Sequence, residues 1–448
     1  MRRTHPPGPP RRAGGLLGLA GMYARMARNP LGFVGDRFER YGDLYYAPGP
    51  DGDLYVLRHP DHLREVLVTR ASDYRKEHTA FARLSVVLGD GLLTTDGDVW
   101  RRQRRLVQPA FSRERLAEYA QAMTDEAMRT LDSWQPATRV NMSREMMELT
   151  LRIVGRTLFS HDVAGDADAV ARAMTTFQDS VLRPDVLPRW VPSPARRRLA
   201  RSVADLDHII LTMVRERREG NARKPDLLQR LVDARDEDQG DAPLTDREVR
   251  DQLVTLFLAG HETTSHALSW AWHLLALNPR EEARLHGELD RVLGGRPATF
   301  EDLPALTYTG WVVRETMRLY PPVYVLARRA AHDTIIGDFA VQAGAEVVCW
   351  LWHTHRDPRW WPDPERFRPE RFHPDEESNR PRLAWVPFGA GPRTCIGKHF
   401  ALQEAQLLLA TLAQRYAPRH VPGAPVRPLP RVTLRPKGGL PMMLDARR

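Results

Sequence analysis

Between Thr245 and Pro279 the sequence keeps a helical hydrophobic pattern for about 33 residues, roughly 50 Å of helix at 1.5 Å per residue. A rod of that length sets the scale of whatever folds around it. Thr245 with Glu248 makes a T-x-x-E capping box at its start, and Asn278-Pro279 ends it. Its middle, Val254-Thr255-Leu256-Phe257-Leu258-Ala259, is apolar nearly all round, which marks a helix crossing the centre of a protein. Inside that stretch stand Gly260, His261, Glu262, Thr263 and Thr264. Glycine weakens a helix, and a carboxyl and two alcohols are costly to bury. Such a cost marks a site.

Around this helix the chain reads as mainly α with a small β region. Ser112 opens an amphipathic stretch to Trp134, and another runs from Ser143 to about Phe159. Pro192-Ser193-Pro194 precedes a helix through Arg218 to Gly220, Lys224-Pro225-Asp226 starts a further one, and Asp236 to Asp241 is an acidic loop. A second capping box, Thr299 with Asp302, predicts a helix from Leu303 to Tyr320, stopped by Pro321-Pro322. Residues 323–350 read as strands, and short β-like pieces such as Leu54-Tyr55-Val56-Leu57 lie between 30 and 95. A long irregular segment follows, about 353–394, and then a last helix from Ile396 to Tyr416. Ordered coil of that length marks a functional segment. With no repeat and no linker, residues 31–448 are expected to form a single domain behind a Pro/Arg-rich segment, 1–30.

Composition closes several alternatives. Cys349 and Cys395 are the only cysteines in 448 residues, which excludes a disulfide scaffold and fits a reducing, cytoplasmic compartment. No run of about 18 apolar residues occurs, so no membrane span is expected. Arg2, Arg3, Arg11 and Arg12 before the apolar run Ala13 to Ala24 mimic a secretion signal. Gly14, Gly15, Gly18 and Gly21 interrupt that run, however, and no A-x-A site follows. Lys+Arg (66) exceeds Asp+Glu (57), a formal +9, but only Lys76, Lys224, Lys398 and Lys437 are lysine and the arginines are spread along the chain. No nucleic-acid reader motif accompanies them, so the surplus suits an acidic protein partner rather than nucleic acid.

The second stretch that carries chemistry is Phe388-Gly389-Ala390-Gly391-Pro392-Arg393-Thr394-Cys395-Ile396-Gly397-Lys398-His399-Phe400-Ala401. A lone cysteine at a helix start is favoured as thiolate by backbone amides and the helix dipole. The glycines permit close backbone approach, and Arg393 offers a cation for a carboxylate. Together these suit a thiolate ligand of haem iron beside a propionate-bearing macrocycle. Cys349, inside a strand, is expected to be a buried structural cysteine.

At these residues the chain resembles the cytochrome P-450 family. Phe388, Gly391, Cys395 and Gly397 match F-x-x-G-x-x-x-C-x-G, which resembles the family's haem-binding loop. Ala259-Gly260-x-Glu262-Thr263 resembles its oxygen-activating helix, and Glu315-Thr316-Met317-Arg318 its E-x-x-R helix. Phe367-x-Pro369-Glu370-Arg371-Phe372 is similar to the segment whose arginine closes a triad with that Glu and Arg. Trp100-x-x-x-Arg104 resembles the haem-propionate helix, and Arg328-Arg329-Ala330 the strand whose first arginine reaches a propionate.

The resemblance implies a P-450 fold with haem b between the long central helix and the Cys-ligand loop. It implies Cys395 as the iron ligand, Trp100, Arg104, Arg328, Phe388, Arg393 and Gly397 as haem-binding residues, and Glu315, Arg318 and Arg371 as a structural bracket. The implied activity is a haem-thiolate monooxygenase that uses O2 and two externally supplied electrons, from a ferredoxin or another separate redox partner. Glu262 and Thr263 are then the catalytic pair, a carboxyl and an alcohol able to relay protons from solvent. Gly260 would let the helix open locally to admit oxygen and water. Arg101, Arg102 and Arg105, with Arg393 and Lys398, are candidates for docking an acidic donor. Apolar side chains in Phe81 to Leu88, around Phe257 and in Val323 to Leu326 suggest a lipophilic substrate, terpenoid, carotenoid or fatty-acid-like.

Two other readings are weaker. His261-Glu262 with His266 looks like H-E-x-x-H, but the second histidine is at i+5, about 140° round the helix, so the two cannot share one metal. His353-x-His355 lacks a further ligand. A non-catalytic haem-thiolate sensor or carrier has no need of an acid and an alcohol in an apolar central helix.

Overall fold

Start signals local to the sequence decide where most of the longer helices begin. The computed structural model describes residues 5–9, 21, 24–49, 52–76, 79–161, 176, 193–220, 223–236 and 242–447. Arg2, Arg3, Arg11, Arg12, most of the apolar run after them and residues 237–241 of the acidic loop lie outside these. In chain order the longer helices are α1 Pro30–Tyr41, α2 Thr79–Leu88, α3 Gly97–Val107, α4 Arg113–Ser133, α5 Met142–Leu158, α6 Pro194–Arg218, α7 Leu227–Asp233, α8 Asp246–Leu277, α9 Pro279–Leu293, α10 Thr307–Leu319 and α11 Lys398–Ala413. Ser112, Ser193 and Asp226 cap α4, α6 and α7, each accepting from a backbone N–H three residues on at 3.4, 3.4 and 2.8 Å. At the start of α8 both arms of the capping box form, Thr245 N to Glu248 Oε2 at 2.9 Å and Glu248 N to Thr245 Oγ1 at 3.2 Å.

Two boundaries differ from expectation. The Thr299–Asp302 box forms but closes only the single turn Phe300–Asp302, and the helix starts at Thr307 instead of Leu303. There the buried carboxylate of Glu288, on α9, accepts from the N–H groups of Tyr308 and Thr309 at 2.6 and 2.8 Å and from the Thr309 hydroxyl at 2.7 Å. An anion supplied by another helix satisfies the first-turn amides, so the helix starts where that anion sits. The last helix starts at Lys398, not Ile396, with Gly397 as its N-cap.

The chain gathers into two compact units, residues 1–79 with 314–395 and residues 80–313 with 396–448. In the first, five strands form one sheet: β1 Leu44–Gly49, β2 Gly52–Leu57, β3 Tyr74–Arg75, β4 Leu326–Ala330 and β5 Glu346–Cys349, in the order β1-β2-β5-β4-β3. β1 pairs antiparallel with β2 (Tyr45 opposite Val56), β5 parallel with β2 (Val348 opposite Val56), and β5 antiparallel with β4 (Val347 opposite Arg328). Tyr55, Leu57, Leu63, Val347 and Cys349 are buried in its core.

In the second unit α8 is the axis. It packs against α5, α6, α9, α11 and the hairpin of β6 Pro428–Pro430 and β7 Leu434–Pro436. Its Leu253, Val254, Phe257, Leu268 and Trp270 are buried, each large side chain contributing roughly 1.5–3 kcal/mol of transfer free energy. Among the described residues no helix is long and apolar enough to cross a membrane.

Candidate active site

In the first unit the loop Phe388–Cys395 is shaped by glycine. Gly389 and Gly391 have φ of +67° and +69°, and a Cβ on Gly391 would stand 1.9 Å from the carbonyl oxygen of Leu67. The loop closes through Gly389 N to Val386 O at 3.0 Å, Thr394 N to Gly391 O at 3.0 Å and Cys395 N to Phe388 O at 2.9 Å. Phe388 stacks edge-on to Trp385, and Arg393 is part-exposed. Cys395 is exposed, whereas Cys349 is shut inside the sheet, where burial pushes its thiol up to about 12.

Behind that loop lies the charged bracket. Arg318 donates to Glu315 through Nε at 2.7 Å and Nη2 at 2.8 Å, and Arg371 Nε donates to Glu315 Oε1 at 3.2 Å. All three are at most 1% exposed. Their remaining donors hold the irregular segment: Arg318 Nη1 reaches the carbonyls of His355 (2.9 Å) and Pro364 (2.7 Å), and Arg371 those of Pro362 and Asp363. A buried bracket clamps an irregular segment that has no ladder of its own.

His355 extends this clamp to the cysteine loop. Its Nε2 accepts from the Val386 N–H at 2.9 Å, at the point where the loop begins. Burial, then Arg318 and Arg356, hold the imidazole down to about 3, so it remains a neutral acceptor. Arg328 is nearly buried on β4, and its Nη1 donates to the Ala327 carbonyl at 2.8 Å.

In the second unit, α3 carries Trp100 with the Arg104 guanidinium 5.7 Å from its ring centroid. Arg102 differs from expectation. It donates to Glu248 Oε1 at 2.9 Å with its side chain only 15% exposed, so it belongs to the cap of α8. Arg101 and Arg105 are exposed.

The middle of α8 is open along one stripe: Ala259 is exposed, Gly260 and Thr263 are part-exposed, and their neighbours are buried. These positions are i, i+1 and i+4, one face of a helix. Phe257, expected beside the pocket, is instead 1% exposed and packs on Phe159 and His261. Gly260 also faces α5. The helix runs unbroken through it, and a Cβ there would press Val154 of α5 at 3.3 Å, so glycine serves helix–helix approach. Gly89 to Leu92, just after α2, docks on the same helix through Asp90 N to Asp251 Oδ2 (2.9 Å) and Leu92 N to Gln252 Oε1 (3.1 Å). The segment Phe81 to Leu88 is thereby tied to α8. Val323 to Leu326 belongs to the first unit.

Thr263 Oγ1 donates back to the Ala259 carbonyl at 2.8 Å. Glu262, 4% exposed, accepts at Oε1 from the Thr433 hydroxyl at 2.8 Å and lies 3.3 Å from His266 Nε2. Burial pushes this carboxyl up, but the bonds from His266 and Thr433 outweigh it and hold it below the usual carboxylate range. His261 Nδ1 is 2.6 Å from the Phe257 carbonyl, and burial keeps the ring neutral.

Thr433, His266 and His355 were not anticipated as partners, and neither was Glu404. The Glu404 side chain on α11 is wholly buried against Thr264, and burial pushes its carboxyl up to about 8, only partly offset by the Thr264 hydroxyl. The unfolded chain loses this proton near 4.5 while the native state keeps it to about 8, so native stability falls as pH rises through that window. Glu404→Gln is expected to escape this loss, its advantage in unfolding midpoint over wild type widening across the window. A difference flat with pH would contradict the assignment.

The family model for cytochrome P-450 matches residues 6–441. The chain belongs to the cytochrome P-450 family. This P-450 is similar to cyclooctatin synthase of Streptomyces melanosporofaciens, 37% identical over 428 residues that cover 94% of this chain and 93% of that one. It is also similar to pentalenene oxygenase of Streptomyces avermitilis, 35% identical over 439 residues and 97% of each chain. The crystal structure of the cytochrome P450DA heme domain superimposes with a TM-score of 0.87 at 25% identity, covering 100% of this chain and 99% of that one. The mainly α fold with small sheets is therefore the P-450 fold, and the enzyme is a haem-thiolate monooxygenase with haem b as its cofactor. The residues present fit that group. One exposed thiol stands at the end of a glycine-shaped loop, while the other cysteine is sealed and protonated.

Proposed function

We propose that this P-450 oxidises a cyclic terpenoid, with Cys395 as the iron ligand and Glu262 and Thr263 as the proton relay. The observation that carries the reading is the stripe on α8: Ala259, Gly260 and Thr263 present an apolar face bearing one alcohol, beside a buried carboxylate. Two relatives carry cyclooctatin and pentalenene in their names, which supports a terpenoid over the carotenoid and fatty-acid alternatives. Haem b, when bound, supplies dioxygen activation at its iron. Trp100, Arg104, Arg328 and Arg393 would hold its propionates through charge-assisted hydrogen bonds, and Phe388 and Gly397 would shape the loop around it. The ionised Glu262 takes up a proton, and the Thr263 hydroxyl passes it to the open face of the helix. Glu315, Arg318 and Arg371 keep the loop of Cys395 in place. Residues 31–448 act as one functional domain, a reading supported by a family match that runs through both units.

Ligand-induced haem spectra test the substrate class. Cyclic terpene hydrocarbons should convert the haem from low to high spin at lower concentrations than carotenoids or fatty acids do. Tighter binding of a fatty acid would contradict the proposal.

Electrons come from a separate cytoplasmic donor, a ferredoxin with its reductase, drawn to exposed cations such as Arg101 and Arg105. Such steering fades as salt shortens the Debye length from about 10 Å at 0.1 M to about 3 Å at 1 M. Arg101→Ala with Arg105→Ala should slow ferredoxin-driven reduction at low salt and leave dithionite reduction unchanged. An unaltered ferredoxin rate would make these arginines a solvated helix face only. Arg102 is left unchanged in this test, because its loss would disturb the cap of α8.

A further inference from the structure

We infer that His266 is a positioning residue of the proton relay, which together with Thr433 fixes the carboxylate of Glu262 in the orientation from which protons are passed. The inference rests on the reading of Glu262 as the relay acid. His266 lies one turn beyond Glu262 on α8, so the two side chains share a face. Its Nε2 is 3.3 Å from Glu262 Oε1, and the Thr433 hydroxyl donates to that same oxygen at 2.8 Å. His266, Glu262 and Thr433 are 2%, 4% and 5% exposed. At that depth a carboxylate without donors would carry a heavy desolvation penalty, and two donors converging on one oxygen leave it little freedom to turn.

Both donors are themselves held. Thr433 sits in the turn between β6 and β7, which is closed by Arg431 N to the Thr433 carbonyl at 3.0 Å. That turn is pinned to α8 by Trp270 Nε1 to the Leu434 carbonyl at 3.1 Å, one turn beyond His266. The imidazole is equally specific in its use. Among the described residues its Nδ1 is buried without a hydrogen-bond partner, so the polar engagement of the ring there is with Glu262. A ring that only filled space here would be better apolar, since a buried nitrogen left unsatisfied is costly. An imidazole kept at such a position is there for its Nε2–H.

The test compares Glu262→Gln, His266→Phe, His266→Gln and Thr433→Val as holoenzymes. The probe is the cyclic terpene hydrocarbon that gives the largest spin shift. His266→Phe keeps ring volume and should lower kcat about tenfold with KM and haem content unchanged, part of the 10²–10⁴ that a positioned proton-transfer group supplies. His266→Gln restores an N–H at the same reach and should recover most of that loss, which a packing role would not explain. A second readout needs no turnover. In the diamagnetic ferrous–carbonyl holoenzyme with isotopically labelled histidine, the His266 Nε2–H resonance is assigned by its loss in His266→Gln. It should shift in both Glu262→Gln and Thr433→Val. If Glu262→Gln itself leaves kcat and product per NAD(P)H unchanged, the relay reading falls and this inference with it. If Glu262→Gln is slow while His266→Phe matches wild type, or if the resonance does not move, only the positioning role of His266 falls.

Discussion

Cys395→Ser is expected to abolish the ferrous–carbonyl absorption band at about 450 nm, because that position reports strong donation from a thiolate and a serine oxygen does not replace it. Cys349→Ser is expected to keep the band. The two cysteines occupy opposite environments. Cys395 is exposed, and its backbone N–H is bonded to Phe388 across a loop that glycine alone can form at Gly391. Cys349 is fully buried between β2 and β4, paired across to Leu57 and Leu326, and burial pushes its thiol up to about 12. Replacing it places a hydroxyl among apolar side chains, which costs stability but touches no ligand. The carbon monoxide difference spectrum of each variant decides between them. Loss of the band in Cys349→Ser and its survival in Cys395→Ser would reverse the assignment.

Glu315→Ala is expected to destabilise the protein by about 3–5 kcal/mol, because it strands two buried guanidinium groups rather than merely deleting a contact. A domain's whole stability is about 5–15 kcal/mol, so the variant should unfold at much lower denaturant and retain haem poorly. The geometry makes this case unlike most ion pairs of the chain. Glu315 accepts from Arg318, from Arg371 and from the Arg368 backbone N–H at 3.0 Å, with both arginine side chains at most 1% exposed. Arg144 with Glu148 makes the control: both are solvent-accessible, and Arg144→Ala should change stability by no more than about 1 kcal/mol. Equal urea midpoints for Glu315→Ala and Arg144→Ala would show that the bracket does not hold the irregular segment.

What the sequence revealed about the fold follows a physical rule. Features whose partners lie within one turn were legible. Ser112, Ser193, Asp226 and the Thr245–Glu248 box each bond three residues away, so a local pattern is enough to place the helix start. The start of α10 was misplaced because its amides are satisfied by Glu288, on another helix and about twenty residues distant. The motif residues of the site were legible through family resemblance, but their neighbours were not. Thr433 is 171 residues from Glu262, and His355 meets Val386 across 31 residues of coil without periodicity. No spacing rule connects such pairs. The close approach at Gly260 was not legible, because the Val154 side chain that a Cβ would press at 3.3 Å lies on another helix. Glu404 was within reach. It sits in Ala401-Leu402-Gln403-Glu404-Ala405-Gln406-Leu407-Leu408-Leu409, where, as at Glu262, an acid stands inside an apolar helix at a cost.

As a monooxygenase this enzyme places one atom of dioxygen into its substrate, proposed to be a terpenoid, and reduces the other to water. Isotopically heavy dioxygen tests it most directly. The holoenzyme, supplied with NAD(P)H, a ferredoxin, its reductase and the cyclic terpene hydrocarbon that gives the largest spin shift, should yield a product whose mass spectrum carries a single heavy oxygen atom. In heavy water with ordinary dioxygen, the product oxygen should stay light. Oxygen drawn from water instead, or haem reduction and oxygen uptake with no oxygenated product, would contradict the account.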